Sequence, residues 1–247
     1  MKIIISPAKT MNVDTDSMEV MGVAPFMEQT EQLKSWLQSL SWDEVKSLWK
    51  CNDKLTDLNY ERFQTMDLAK NLTPAILSYE GIQYQYMAPS VMEYSQYDYI
   101  QKHVRILSGF YGLLAPFDGV VPYRLEMQAK VKVNQCKDLY DFWGDRIYQK
   151  LVEEDHVILN LASKEYSKAI EPYLQKEDTY VTCVFGQLKE GKVVQKATMA
   201  KMARGEMVNF LASIKANTLE DVKKFDRLEY EYQEELSSER EYVFIKK

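Results

Sequence analysis

The chain has 247 residues, a formal net charge of −6 at neutral pH and a pI of about 5.2. Hydrophobic residues make up 46% and charged residues 28%, which excludes a disordered or fibrous chain. A domain dedicated to coating nucleic acid usually has a pI above about 9, so nonspecific coating is disfavoured. No apolar run approaches the roughly 18 residues of a membrane helix, and the chain start turns polar too early for a secretory signal. We expect a cytoplasmic protein without membrane association.

The cysteines and histidines are few and scattered. Cys51, Cys136 and Cys183 form no C-x-x-C pair, so neither a disulfide framework nor a zinc ribbon is encoded. His103 and His156 lie far apart in sequence, which disfavours the usual histidine-based metal sites. We therefore expect no metal site and no cofactor.

Hydrophobic periodicity predicts alternating strands and helices along the whole chain. In chain order these are a strand at Lys2–Ser6, helices at Pro25–Leu40, after Ser41 and at Asn59–Met66, strands at Val104–Leu107 and Val120–Met127, a helix at Asp138–Leu151, a strand at His156–Leu161, a helix at Ser163–Ile170, a hairpin of Tyr180–Gln187 and Lys192–Thr198, a helix at Ala200–Ala216, and a terminal edge strand at Tyr242–Ile245. The pattern predicts an α+β (mixed α/β) fold: one compact domain over residues 1–247, with a mixed central sheet and peripheral helices.

The stretch from about 41 to 66 predicts a helical hairpin. Ser41 and Glu44 have the spacing of a capping box, in which each side chain binds an amide at the helix start. Asn52 and Asp53 then break the helix before a second short one begins. Two short helices around a tight connection form a helix-hairpin-helix-like element.

Polar residues follow two of the predicted buried strands. Ser6 and Lys9 lie in the loop after the first strand, at the edge where open α/β sheets place ligands. Asn160 and Ser163 follow a later strand in the same way, and helix N-termini attract anions. An anion site is one interpretation of this pattern, but a lysine on an ordinary loop and a plain helix cap are the simpler explanations.

Two further segments carry paired charges. Arg124 and Glu126, two residues apart beside a glycine-containing loop, have the spacing of an anion clamp with an attached acid or base, or of a structural ion pair. Lys201 and Arg204 share a helix face, which is either phosphate-facing or simply solvated. Residues 189–215 contain six basic and two acidic side chains, so positive charge is concentrated there.

Several segments, in order along the chain, resemble the YaaA family of bacterial peroxide-stress resistance proteins. They are I-I-I-S-P-A-K-T from Ile3, S-G-F-Y-G-L-L-A-P-F-D from Ser108, P-Y-R-L-E-M from Pro122, D-L-Y-D-F-W-G-D from Asp138, N-L-A-S-K-E-Y from Asn160, and K-M-A-R-G-E-M from Lys201. The resemblance covers most of the chain.

The resemblance implies a cytoplasmic protein that limits hydrogen-peroxide damage by lowering reactive iron. It also implies DNA binding through a helix-hairpin-helix element and a basic cleft. In this chain, residues 51–59 contain no glycine, so the hairpin candidates for phosphate contact are the side chains of Lys50, Lys54 and Arg62.

Three hypotheses follow. In the leading one, duplex or distorted DNA lies in a basic cleft; the proposed phosphate contacts are Lys9, Arg124, Lys201, Arg204, Lys54 and Arg62. The alternative is an enzyme acting on a nucleotide or flipped base; its candidate residues are Arg124 for phosphate, Glu126 or Asp118 as acid–base, and Tyr111 for stacking. Direct iron sequestration is the weakest, because Fe(II) usually recruits histidine with carboxylates. We expect a monomer.

Overall fold

A computed structural model describes all residues from Met1 to Lys247. An eight-stranded sheet forms its centre, in the order β11-β12-β9-β8-β1-β5-β6, with β10 paired to β9. The strands are β1 Lys2–Ile5, β2 Thr10–Met11, β3 Thr73–Pro74, β4 Tyr79–Glu80, β5 Val104–Ser108, β6 Gly112–Leu114, β7 Gly119–Val120, β8 Val157–Asn160, β9 Thr179–Lys189, β10 Lys192–Val194, β11 Tyr230–Tyr232 and β12 Glu241–Lys246. The mixed α/β fold predicted from sequence is confirmed.

Strand β1 is an inner strand of the parallel part of the sheet. It pairs with β5 on one side and with β8 on the other, and β8 pairs in parallel with β9. Its three isoleucines, Ile3 to Ile5, are completely buried. A continuous apolar run is what a parallel strand covered on both faces requires.

Eleven helices surround this sheet. They are α1 Met27–Ser39, α2 Trp42–Trp49, α3 Asp53–Gln64, α4 Ala75–Ser78, α5 Ile82–Met87, α6 Tyr94–His103, α7 Leu139–Trp143, α8 Arg146–Val152, α9 Lys164–Ser167, α10 Ala197–Ser213 and α11 Leu219–Val222. Helix α10 crosses α5 where Gly205 meets the backbone of Gln83, so closely that a Cβ at Gly205 would overlap the Gln83 carbonyl oxygen. No helix combines the length and apolar character needed to cross a bilayer.

Residues 41–66 fold into the helices α2 and α3, joined by three residues. The capping box at Ser41 and Glu44 is present, which confirms that prediction. The second helix begins at Asp53 rather than Asn59, because the Asn52 side chain caps it by accepting the amide of Leu55. The two helices are also joined by the Trp42 indole, which donates to Asp57 at 2.7 Å.

Three further sequence predictions differ from the structure. The strand expected at Val120–Met127 ends at Val120, and residues 121–127 form no ladder with a neighbouring strand. The helix expected at Asp138–Leu151 is two helices, separated at Gly144, which has a left-handed φ of 53°. The last strand, β12, is not an edge strand, because β11 pairs along its outer side.

Two buried cations and one carboxylate form an ion network at the amino-terminal edge of the sheet. Glu154 accepts hydrogen bonds from both Lys2 and Arg105, the latter through Nε at 3.0 Å. Both cations are at least nine-tenths buried. Burial raises the pKa of Glu154, but the hydrogen bonds from Arg105 and Lys2 outweigh it, so the pKa lies below its usual value. The carboxylate is therefore more stable in the folded chain than in the unfolded one.

Replacing Glu154 with Gln should destabilise the protein by about 3 kcal/mol, since two buried cations lose their partner. The lowered pKa means that Glu154 stabilises the fold above its unfolded value, and that this stabilisation disappears as the pH falls through the folded pKa. Urea unfolding from pH 7 down to pH 3 should therefore show a smaller pH dependence in the variant. The neighbouring surface change Glu153→Gln is the control; equal pH dependence in Glu154→Gln and the parent would contradict the assignment.

Candidate functional site

Polar residues meet where the parallel strands end. Because β1 and β8 are neighbours running in the same direction, Ser6 and Ser163 come together although 157 residues separate them. The Ser6 Oγ accepts the backbone amide of Ser163 at 2.8 Å and lies 3.3 Å from its Oγ. Ser6 and Ser163 thus form one polar surface at the carboxyl edge of the sheet, the edge at which open α/β sheets bind ligands.

The segment after β7 crosses this edge without joining the sheet. Gly109, just after β5, allows the crossing, because a Cβ there would lie 2.5 Å from the carbonyl oxygen of Leu125. Pro122 has no amide to donate, and the Tyr123 amide faces the Met11 sulfur at 3.5 Å. Because the segment crosses the edge here, its residues Arg124 and Glu126 lie next to the loop that contains Lys9.

Glu126 lies between two cations. Its Oε1 is 3.1 Å from Lys9 Nζ and 3.1 Å from Arg124 Nη2. The Glu126 and Arg124 side chains are about nine-tenths buried, whereas Lys9 is 63% exposed. The Arg124 Nε is buried without a hydrogen-bond partner. The cluster therefore has one exposed cation and one buried donor with no acceptor.

A second carboxylate lies close to this cluster. Burial raises the pKa of Glu165, and the negative charge of Glu126 raises it further, against hydrogen bonds and Lys9 that lower it. One Glu165 oxygen accepts the Gln128 amide at 3.4 Å. The two glutamates thus differ in environment: Glu126 is paired with cations and Glu165 is held by a backbone amide.

Hydroxyl groups form a buried hydrogen-bonded chain close to the crossing segment. Ser108, the last residue of β5, lies 2.7 Å from the Tyr123 hydroxyl, which lies 2.8 Å from that of Tyr79. Burial raises the pKa of Tyr123 to about 12, so the phenol stays protonated. These hydrogen-bonded hydroxyl groups hold in place the segment that carries Arg124 and Glu126.

An open cleft of about 770 Å³ leads to this cluster from the surface. Its charged lining residues are Lys9, Lys50, Lys130, Lys132, Glu44 and Glu126, so positive charge exceeds negative. The opposite wall is apolar and comes from helices α1 and α2; it comprises Trp36, Leu40, Leu48 and Trp49. The Trp49 indole nitrogen is buried without a partner. The cleft combines free cations with an aromatic wall.

Lys130 and Lys132 are the cleft residues that the sequence analysis missed. Both are exposed and have no carboxylate within ion-pair distance, while Val131 between them and Ala129 and Val133 on either side are buried. The alternation of apolar residues and lysines over 129–133 was the available signal, because alternate residues of an extended chain face opposite sides. Lys50, which joins α2 to α3 in a left-handed conformation with φ 48°, lines the cleft as well.

The other proposed phosphate contacts lie outside the cleft. Arg204 is turned toward Cys183 of β9, where burial lowers its pKa and leaves its Nε without a partner. Lys201 is exposed on the same helix, and Lys54 is exposed on α3. Arg62 lines a separate hollow of about 470 Å³. The structure brings together Lys9 and Arg124 from the original set, but not these four.

Three further candidates have structural roles in the chain. The Tyr111 hydroxyl accepts the Val121 amide at 3.1 Å inside the core, where no base can stack on its ring. Asp118 accepts the Ala115 amide at 2.8 Å, closing a turn, and burial raises its pKa. The Asn160 side chain accepts the Ala162 amide at 2.8 Å and shapes the end of β8. Among the acid–base candidates, only Glu126 lies at the cleft.

No group of three or more His, Cys, Asp or Glu side chains is arranged to hold a metal ion. The fold and the site together define a single-domain α/β protein with a partly cationic cleft at the carboxyl edge of its sheet.

Comparison with known proteins identifies the family. The family model described as "Peroxide stress protein YaaA" matches residues 1–236, so this chain belongs to the YaaA peroxide stress protein family. It is similar over its whole length to UPF0246 proteins of Lachnoclostridium phytofermentans (57% identity, 96% of that protein) and Desulfitobacterium hafniense (56%, 98%). A UPF0246 protein of Pediococcus pentosaceus is 54% identical over the whole chain and 98% of its own length.

Replacing Gly109 with Ala should displace the crossing segment, because the new Cβ meets the Leu125 carbonyl and the Glu126 backbone. We expect a loss of about 1–3 kcal/mol in the free energy of unfolding, measured by urea denaturation. Gly81→Ala is the control, because its Cβ meets only the Ala8 side chain at 3.2 Å. Equal stability of the two variants would show that the close approach at Gly109 is not needed.

Proposed function

We propose that this member of the peroxide stress family is a cytoplasmic protein that binds DNA in the cleft and so limits iron-dependent damage. The observation that carries the proposal is the set of three lysines, Lys50, Lys130 and Lys132, which line one cleft without carboxylate partners. Free cations converging from separate parts of a chain cost stability through repulsion and suit a polyanion. Because the whole chain has a net charge of −6, an excess of basic residues overall does not explain this local concentration of lysines.

The aromatic wall supports nucleic acid rather than a simple anion. Trp36 is partly exposed beside the cations, and an indole face stacks on any base. Lysines opposite a tryptophan fit a phosphate backbone with an adjacent unstacked base. This arrangement suits distorted DNA as well as a regular duplex.

Binding to phosphates also supplies a physical route to reduced oxidative damage. DNA carries a condensed layer of counterions, and a protein that neutralises phosphates releases them. Fe(II) held in that layer generates hydroxyl radical next to the sugar when it meets peroxide. A protein bound to the phosphate backbone would displace Fe(II) from the DNA, so that hydroxyl radical would form farther from the sugar.

Replacing Lys130 and Lys132 with Gln should weaken DNA binding and lower the slope of log affinity against log salt by about 1.8. Fluorescence anisotropy with a labelled duplex across a salt series measures both. The same variant should protect DNA less well against cleavage by Fe(II) and peroxide. Lys137→Gln, an exposed lysine of the same segment outside the cleft, is the control. An unchanged slope in the double variant would reject the cleft as the DNA site.

The second candidate function is an enzyme acting on a nucleotide or flipped base. The observation that favours it is Glu126, whose Oε1 contacts both cations while its Oε2 has no hydrogen-bond partner in the protein. A carboxylate oxygen at the base of a cleft is suited to accept a proton from a bound nucleotide or water. In this reading Arg124 holds a phosphate.

The variant Glu126→Gln separates the two functions. If Glu126 only neutralises Lys9 and Arg124, its removal frees both cations, and DNA affinity should rise about tenfold or more at low salt. If Glu126 is the acid–base group, oligonucleotides incubated with the parent protein should yield a product that the variant does not form. Unchanged DNA affinity together with no product from the parent would exclude both roles.

A further inference from the structure

The β9–β10 hairpin projects beyond the sheet on the side of the cleft. Thr182 of β9 pairs with Asn160, the last residue of β8, so the next seven residues of β9 extend past its neighbour. The neighbour on the other side, β12, pairs with β9 as far as Gly186, so the last three residues of β9 extend roughly 10 Å past both neighbouring strands. We call residues 187–194 the lysine arm.

The arm is a short, well-defined ribbon. Its two-residue turn, Glu190 and Gly191, has φ values of 49° and 76°, the positive values of the tight turn that matches the twist of paired strands. At its base, Gly186 lets β10 approach closely, because a Cβ there would lie 2.6 Å from Val193 Cγ1. These features fix the direction of the ribbon relative to the sheet.

Two lysines lie directly opposite each other at the end of the ribbon. Lys189 pairs in register with Lys192, both are exposed, and neither has a carboxylate within ion-pair distance. Like charges directly opposite across two strands are destabilising. The adjacent Glu190 could have neutralised one of them but pairs with neither. The sequence thus keeps an unfavourable pair at the exposed end of the ribbon.

The cationic surface continues from the arm onto helix α10. Lys196 immediately precedes that helix and Lys201 lies in its second turn; both are exposed and unpaired. On the opposite side of the arm, Leu188 is 53% exposed next to Val193. A two-stranded ribbon with lysines on one face and small apolar side chains on the other fits the major groove of duplex DNA, which is about 12 Å wide.

We infer that the lysine arm is a second DNA contact, which enters a groove of the duplex next to the part held in the cleft. The inference rests on the proposed function, because it assigns the arm to the same polyanion. Lys189 and Lys192 contact phosphates that border the groove, and phosphate attraction removes the repulsion between them. The arm thereby gives the protein a preference for longer duplexes over short single strands.

The test compares Lys189→Gln/Lys192→Gln with the parent in anisotropy titrations on a duplex of about 24 base pairs and a single strand of about 8 nucleotides. Losing two phosphate contacts should lower the salt slope on the duplex by about 1.8 and the affinity roughly 60-fold at 0.1 M salt. Affinity for the single strand should not change. Lys189→Arg/Lys192→Arg should bind like the parent, and Lys176→Gln, which precedes β9 at the other edge of the sheet, is the control.

The outcomes separate this inference from the proposed function. If the Lys130/Lys132 variant loses affinity while the arm variant binds the duplex like the parent, the arm assignment fails and the cleft assignment stands. Equal losses on the duplex and the single strand in the arm variant would overturn the groove assignment. If neither variant differs from the parent, both assignments fail.

Discussion

The parallel pairing of β1 between β5 and β8 is the constraint on which the rest of the molecule depends. Because the three strands run in one direction, the chain leaves each of them at the same edge. Residues that are more than 150 positions apart, such as Ser6 and Ser163, become hydrogen-bond partners there. The buried isoleucines of β1 make this arrangement stable, and the polar residues after the strand depend on it for their position.

The two edges of the sheet differ in whether their charged side chains have partners of opposite charge. At the amino-terminal edge, Glu154 compensates both Lys2 and Arg105, and the two cations are buried. At the carboxyl edge, Glu126 balances only part of the nearby positive charge, and Lys50, Lys130 and Lys132 have no acidic partner. Compensated charge contributes to folding, whereas uncompensated charge at the surface is available to a ligand. The contrast is the reason that the proposed function is assigned to the carboxyl edge.

The sequence predicted the fold class and the central strands because their apolar runs and caps are local signals. It failed at 121–127, because an extended apolar segment looks the same whether or not a partner strand lies beside it. It also placed Arg204 with Lys201 on one surface, although Arg204 adjoins the buried positions Ala200, Ala203 and Met207. Which strands pair, and which face of a helix is buried, depend on residues far away in the chain. A local sequence pattern does not show those residues.

If the cleft binds a polyanion as proposed, the position of Glu126 also affects which anions it selects. An incoming phosphate must take over Lys9 and Arg124 from a carboxylate that is already in contact with both. A single small anion gains only these two contacts in exchange. In the proposed DNA-binding function, a polymer that also engages the free lysines gains several contacts at once, so competition from the internal carboxylate favours a polyanion over free phosphate.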